Sequence, residues 1–213
     1  MNLEMKAFLT IITAASCPLS ADAAVVMNPT FAINAVVPDN SAVGLSDTRT
    51  LSSTIDSISS VSVALTMRDG WAGDIYAYLV HGSGFSVLLN RPGKSLALPA
   101  GSDASRIEVT FTDDSLADIH NAIANEGVLS GAFQPDARNV DPANALDSSP
   151  RSAFLNTFQG LDANGDWTLF IADVSAGDTM VLESWTLTVT GVPEPSAMLL
   201  ALAGMPLLWK RRR

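Results

Sequence analysis

The chain has 213 residues, 47% hydrophobic and only 16% charged, a balance that excludes a disordered tail. Its formal charge of −10, from 12 Lys and Arg against 22 Asp and Glu, argues against a nucleic-acid partner, since a few scattered cations cannot neutralise a run of phosphates. Two His and a single Cys leave too few soft ligands for a Cys/His zinc site.

In chain order, the first segment (1–23) has the design of an export signal. Lys6 supplies a positive start, Ala7 to Ala15 is apolar and uncharged, and Ala21-Asp22-Ala23 forms a small-x-small cleavage site. Cleavage is expected between Ala23 and Ala24. The region that follows, 24–191, carries 19 acids and 7 bases, a net −12, and no cysteine. At that length it can bury most of its apolar surface without a disulfide.

This region reads as all-β. Val61, Val63, Leu65 and Met67 alternate with Ser60, Ser62, Ala64 and Thr66, the mark of a half-buried strand. Ile75, Ala77 and Leu79 alternate with Asp74, Tyr76 and Tyr78, and Phe85, Val87 and Leu89 follow the turn at Gly82-Ser83. Further alternations run through Ile107–Phe111, Trp167–Ile171 and Trp185–Val189. Turn clusters lie between them, Asn164-Gly165 foremost because both residue types tolerate positive φ. Many short strands with closely spaced turns predict a sandwich or barrel. Leu116, Ile119 and Ile123, at i, i+3 and i+7 behind Asp113-Asp114, predict one short helix ending near Gly127. Residues 131–152, with three Asp, three Pro and few large apolar side chains, predict a long surface loop.

The C-terminal segment (192–213) breaks the last strand with prolines and then runs uncharged from Ala197 to Trp209 before Lys210 and three arginines. As a helix that apolar run covers about 20 Å, short of the ~30 Å hydrocarbon core. Its basic end would stay cytoplasmic. A membrane-embedded C-terminal hydrophobic helix is expected.

Two resemblances follow from these residues. Val192-Pro193-Glu194-Pro195, the short apolar span and the Arg-rich end resemble the PEP-CTERM sorting signal of Gram-negative bacteria. That resemblance implies export, transient inner-membrane anchoring, removal of the tail by an exosortase, and a place at the cell surface or outside the cell among exopolysaccharide and surface proteins. Residues 36–190 resemble the P domain (P/Homo B domain) of kexin- and furin-like convertases. The blocks are Val37-Pro38-Asp39-Asn40, Gly70-Trp71-Ala72-Gly73-Asp74-Ile75 with Leu79, Leu88-Leu89-Asn90-Arg91-Pro92-Gly93, and Leu161 to Leu169 with Asp173, Gly177-Asp178 and Trp185. Asp69-Gly70 stands where the family usually has His, and the Pro expected after Leu79 is absent. The resemblance implies a jelly-roll-like β-sandwich.

The residues bear on three kinds of chemistry. Asp162, Asn164 and Asp166 have calcium-loop spacing with Asp173 at position 12, although Trp167 occupies the place where such a loop needs Gly. Asp69 and Asp74 flank a glycine turn, and Asp113, Asp114 and Asp118 form a second acidic group. Hard oxygen donors without cysteine suit calcium. The expected ligands are Asp74 first, then Asp69, Asp162, Asp166 and Asp173. Catalysis is not expected: Ser83 lies outside a Gly-x-Ser-x-Gly elbow, and His120 reads as a solvated helix residue near Asp118. Binding is the third. Tyr76 and Tyr78 face away from Ile75 and Leu79 and either meet a saccharide or cover a second core face. The expected protein is an exported, non-catalytic surface or biofilm-matrix module. The alternative is an accessory domain of a secreted protease or hydrolase encoded separately.

Overall fold

The computed structural model describes residues 24–192. The signal segment up to Ala23, and Pro193, Glu194 and Pro195 of the sorting motif, lie outside the described residues, and Val192 ends the last strand. Among the described residues, ten strands form two sheets. They are β1 (Val25–Met27), β2 (Thr30–Val36), β3 (Leu45–Leu51), β4 (Ser57–Arg68), β5 (Ile75–His81), β6 (Gly84–Asn90), β7 (Arg106–Thr112), β8 (Val128–Phe133), β9 (Gly165–Asp173) and β10 (Val181–Val192). The larger sheet runs β1-β10-β4-β7-β8, with β2 also on β10; the smaller runs β3-β9-β5-β6. All pairings are antiparallel except β7 with β8. The fold is an all-β sandwich.

The alternation explains why. Val63, Leu65 and Met67 of β4 and Trp185, Leu187 and Val189 of β10 turn to the same interior as Ile75, Ala77 and Leu79 of β5 and Trp167, Leu169 and Ile171 of β9. The two inner faces thus fuse into one continuous core. Pro29 divides what would otherwise be one edge strand, because it has no N–H for the ladder; β1 and β2 lie end to end on β10 around it, and the Leu187 amide donates to the Pro29 carbonyl.

The two tryptophans tie the layers. Trp167 is fully buried, donates from Nε1 to the Ala163 carbonyl at 3.0 Å, and stacks flat on His81 with centroids 3.9 Å apart. Trp185 belongs to the larger sheet but donates to Asp47 Oδ2 on β3 of the smaller one, at 2.7 Å. Strand β3 gave little signal in the sequence because its inward positions hold Asp47 and Arg49 beside Leu45 and Leu51. Charges turned inward are a common guard on an edge strand.

Two expectations fail. Residues 116–123 form no helix beyond a single 3-10 turn, Ile119–Asn121. Leu116 and Ile123 are exposed and only Ile119 is buried, so the apolar stripe has no surface to pack on, and packing is what holds a short helix together. Asp118 is instead bridged to Gln134, and its carboxylate accepts the His120 amide. Nor are residues 131–152 a surface loop throughout. Gly131–Phe133 finish β8, and Asp136, Ala137 and Arg138 are buried, with the Asp136 and Ala137 amides bonded to carbonyls of β6. The Asn164-Gly165 turn also forms by other means than expected. Only Gly165 takes positive φ (108°), while the Asn164 carboxamide binds the Ser53 amide and Asp162.

Replacing Trp167 or Trp185 by Ala should cost about 3–5 kcal/mol, the usual result of truncating a core aromatic. Denaturant midpoints measure it; an unchanged midpoint would place that indole at the surface.

Candidate functional site

Strand β5 carries Tyr76 and Tyr78 on the face opposite the core, and its neighbour β9 carries Phe170 directly across from Tyr78. Tyr78 stacks on Phe170 with centroids 4.6 Å apart, meets Tyr76 edge-on at 5.8 Å, and touches Phe85 of β6 at 5.2 Å. All four rings are half-buried. They line and flank a cleft of about 620 Å³, floored by Tyr76, Tyr78 and Phe170 and rimmed by Arg91, Asp141 and Pro142. Burial, with Tyr78 alongside, holds the Tyr76 phenol above its usual range, so it is a neutral donor there.

The far wall of this cleft is the segment wrongly expected to be a free loop. Three buried polar side chains fix it. Asn90 donates from Nδ2 to the Arg138 and Val140 carbonyls at 2.9 and 3.0 Å. Lys94 donates from Nζ to the Pro142 and Ala143 carbonyls at 2.9 and 2.6 Å. Burial and the nearby Arg91 lower the Lys94 pKa. Arg138 is 2% exposed and bonds Asp118 (2.9 Å), Asp136 (3.2 Å) and the Leu146 and Asp147 carbonyls.

His120, expected to be solvated, is 1% exposed and belongs to the same network. Its Nδ1 lies 2.8 Å from Asp136 Oδ2 and its Nε2 lies 2.8 Å from the Lys94 carbonyl. Both neighbours are acceptors, which favours the doubly protonated ring. Burial works against that charge, yet the hydrogen bond and charge of Asp136 and the Lys94 carbonyl outweigh it and raise the pKa. His81 likewise has both ring nitrogens against backbone carbonyls, those of Asp166 and Asp162. Each histidine is therefore committed to a structural contact at both nitrogens.

The expected calcium ligands fall in three places. Asp162 folds back on the Asn164 amide and side chain, and Asp166 accepts a bond from Thr50 across the β3–β9 pair. Asp173 lies at the other end of β9, about 23 Å from Asp166 at a strand's rise per residue. The intervening strand cannot wrap an ion. Asp69, exposed in a left-handed turn with Gly70, pairs with Arg68. Asp74 and Asp173 are brought together: Ile75 pairs with Asp173, and the Val174 amide donates to the Asp74 carbonyl. Of the second acidic group, Asp113 accepts the Leu155 and Asn156 amides, and Asp118 serves Arg138. Among the described residues no three Asp, Glu, His or Cys side chains are grouped to hold a metal, and no helix is long and apolar enough to cross a membrane.

The cleft wall was missed because its buried residues are charged, and burial cannot be told from solvation by residue type. The one available signal was Arg138 and His120 among few apolar neighbours, which reads equally as surface.

No family model matches the chain, and neither does any curated protein. Two solved structures from Aeromonas sobria are similar in shape. One is of its serine protease in complex with the chaperone ORF2, with 14% identity, a TM-score of 0.46, and coverage of 80% of this chain and 27% of that one. The other is of the serine protease, with 15% identity, a TM-score of 0.45, and coverage of 83% and 28%. The chain spans little more than a quarter of the length of either.

Removing Asp136 would strand Arg138 and His120, so Asp136→Ala should cost about 3–5 kcal/mol, as for a broken buried ion pair. The raised His120 pKa contributes stability in full below the unfolded value near 6.5, and loses it as pH rises through the folded value. The cost of His120→Gln, from urea midpoints, should therefore be largest below that pH and shrink in alkali.

Proposed function

We propose that the domain is an exported, non-catalytic binding module of the cell surface or biofilm matrix, and that its cleft takes a saccharide. One observation carries this reading: Tyr78 stacked on Phe170, with Tyr76 edge-on, at the floor of an open cleft with Arg91 and Asp141 at its rim. Flat aromatic faces suit the C–H faces of sugar rings, and a guanidinium, a carboxylate and a phenol offer the donors and acceptors that sugar hydroxyls need. The engagement of both histidines at both nitrogens supports a binding role over a catalytic one. The signal at 1–23 and the motif Val192-Pro193-Glu194-Pro195 support export and release by an exosortase.

A second reading is an accessory module of a separately encoded secreted protease or hydrolase. It is favoured by two of the convertase-like blocks, Gly70 to Ile75 and Leu161 to Leu169, which lead into β5 and β9, adjacent strands of one sheet. Recovery of more active enzyme when that protease is co-expressed with this chain would support it.

Tyr76→Ala and Tyr78→Ala should each weaken retention on a polysaccharide affinity gel about tenfold, a loss of roughly 1.4 kcal/mol. Retention equal to wild type on neutral and acidic polysaccharides alike would refute the saccharide reading. For sorting, the mass of the C-terminus should drop by the tail in a host with an exosortase and stay full-length without one.

A further inference from the structure

The sandwich closes one end around an arrangement the saccharide reading does not use. Asp74 and Asp173 stand at the adjoining ends of β5 and β9, joined through the Ile75–Asp173 pairing and the bond from the Val174 amide to the Asp74 carbonyl. The loop that leaves β9 folds over them. The Ser175 amide donates to Asp173 Oδ1 at 3.2 Å, and the Ser175 side chain stands near enough to Asp74 to favour its charged form. Further along, the Gly177 amide donates to Asp39 Oδ1, which adds a third carboxylate nearby.

Asp173 is 0% exposed, and its Oδ2 is buried with no hydrogen-bond partner. A buried carboxylate oxygen ordinarily has at least one donor, and one without any costs much of its desolvation. The nearest cation is Arg91, and it is committed elsewhere: Nε donates to the Gly73 carbonyl, and Nη2 reaches Asp74 Oδ1 at 3.3 Å. Of these carboxylates it pairs with Asp74 alone. Burial, opposed by the Ser175 amide and reinforced by the charges of Asp74 and Asp39, lifts the Asp173 pKa to about 6. Burial likewise raises that of Asp74, against the pull of Arg91.

We infer that Asp74 and Asp173, with the Ser175 hydroxyl beside them, bind a hard divalent cation of the calcium class, the orphaned Oδ2 of Asp173 being its anchor. Calcium takes six to eight oxygens in a flexible shell, so two carboxylates, a hydroxyl and waters suffice for weak binding. Magnesium demands a near-ideal octahedron and fits a two-carboxylate loop less well. Two protein carboxylates without a third at contact distance match an affinity of about 10⁻⁴–10⁻³ M, the range of extracellular calcium modules. The ion would be structural: it would lock the 173–177 loop to the start of β5, and it goes beyond the saccharide reading without resting on it. The competing account is that Asp173 keeps a proton.

The test uses the full chain. Its melting midpoint is measured in millimolar calcium and in chelator, at pH 7.5 with ionic strength matched by sodium, and again with magnesium; calorimetric titration with calcium counts the sites. The expected result is a midpoint several degrees higher in calcium, little change in magnesium, and one site. Asp173→Asn and Asp74→Asn should abolish both the shift and the heat, while Asp166→Asn, at the other end of β9, should keep them. Because the Asn variants remove a buried charge, their midpoints in chelator are compared with wild type; a folded variant that ignores calcium supports the site. Equal wild-type midpoints in calcium and chelator would overturn it in favour of the protonated carboxyl. A calcium shift that survives Asp173→Asn, or is lost in Asp166→Asn, would overturn it in favour of another location.

Discussion

The cleft of this protein exists because Asp136 and Arg138 are buried. The segment that follows β8 has too few large apolar side chains to adhere to the sandwich through hydrophobic contact alone. It is held by charge instead. Asp136 accepts from Arg138, His120 and the Asn90 amide, and Arg138 spreads its remaining N–H groups over Asp118 and two carbonyls. Buried charges are costly unless every lone pair and proton is met, and removing one member leaves the others uncompensated. The network therefore specifies a single placement of the segment against β6, with Asn90 and Lys94 fixing its far part over the aromatic face. Without it the smaller sheet would show Tyr76, Tyr78 and Phe170 as a flat patch with no wall.

The sandwich beneath supplies rigidity to that surface. Trp185 crosses from one sheet to Asp47 of the other, and Trp167 fills the core between His81 and Phe158. Both indole N–H groups find acceptors, so two large side chains are buried with no polar group left over. With no cysteine in residues 24–192, these contacts and the fused inner faces hold the strands whose outer residues make the cleft. Phe170 and Tyr78 stack because their strands are in register, and that register is pinned from inside by Leu169, Ile171, Ala77 and Leu79.

The acidic excess is spread through the structure by function of place. Some carboxylates cap turns, as Asp113 and Asp162 do; some support the cleft wall, as Asp118 and Asp136 do. Asp74 and Asp173 differ because they stand at adjoining strand ends where Arg91 pairs with Asp74 alone. The carboxylates of the turns and the wall are met by amides and arginines, whereas Asp173 Oδ2 has no hydrogen-bond partner.

Strand character was legible in the sequence, because a period of two along Val61–Met67, Ile75–Leu79 and Trp167–Ile171 can bury one face only as β-structure. With it came the all-β class and the outward direction of Tyr76 and Tyr78. The sandwich those blocks implied is the architecture that forms. Tertiary structure decided the rest. The 3.6-period of Leu116, Ile119 and Ile123 was a local pattern without a partner surface, so it formed no helix. Asp136, Arg138 and His120 looked solvated, since a charged residue becomes buriable only when its counter-charges arrive from segments far apart in the chain. Among the aspartates with calcium-like spacing, sequence distance misled for the same reason: six residues of extended β9 separate Asp166 from Asp173, while pairing of β5 with β9 brings Asp74, ninety-nine positions away, to its side.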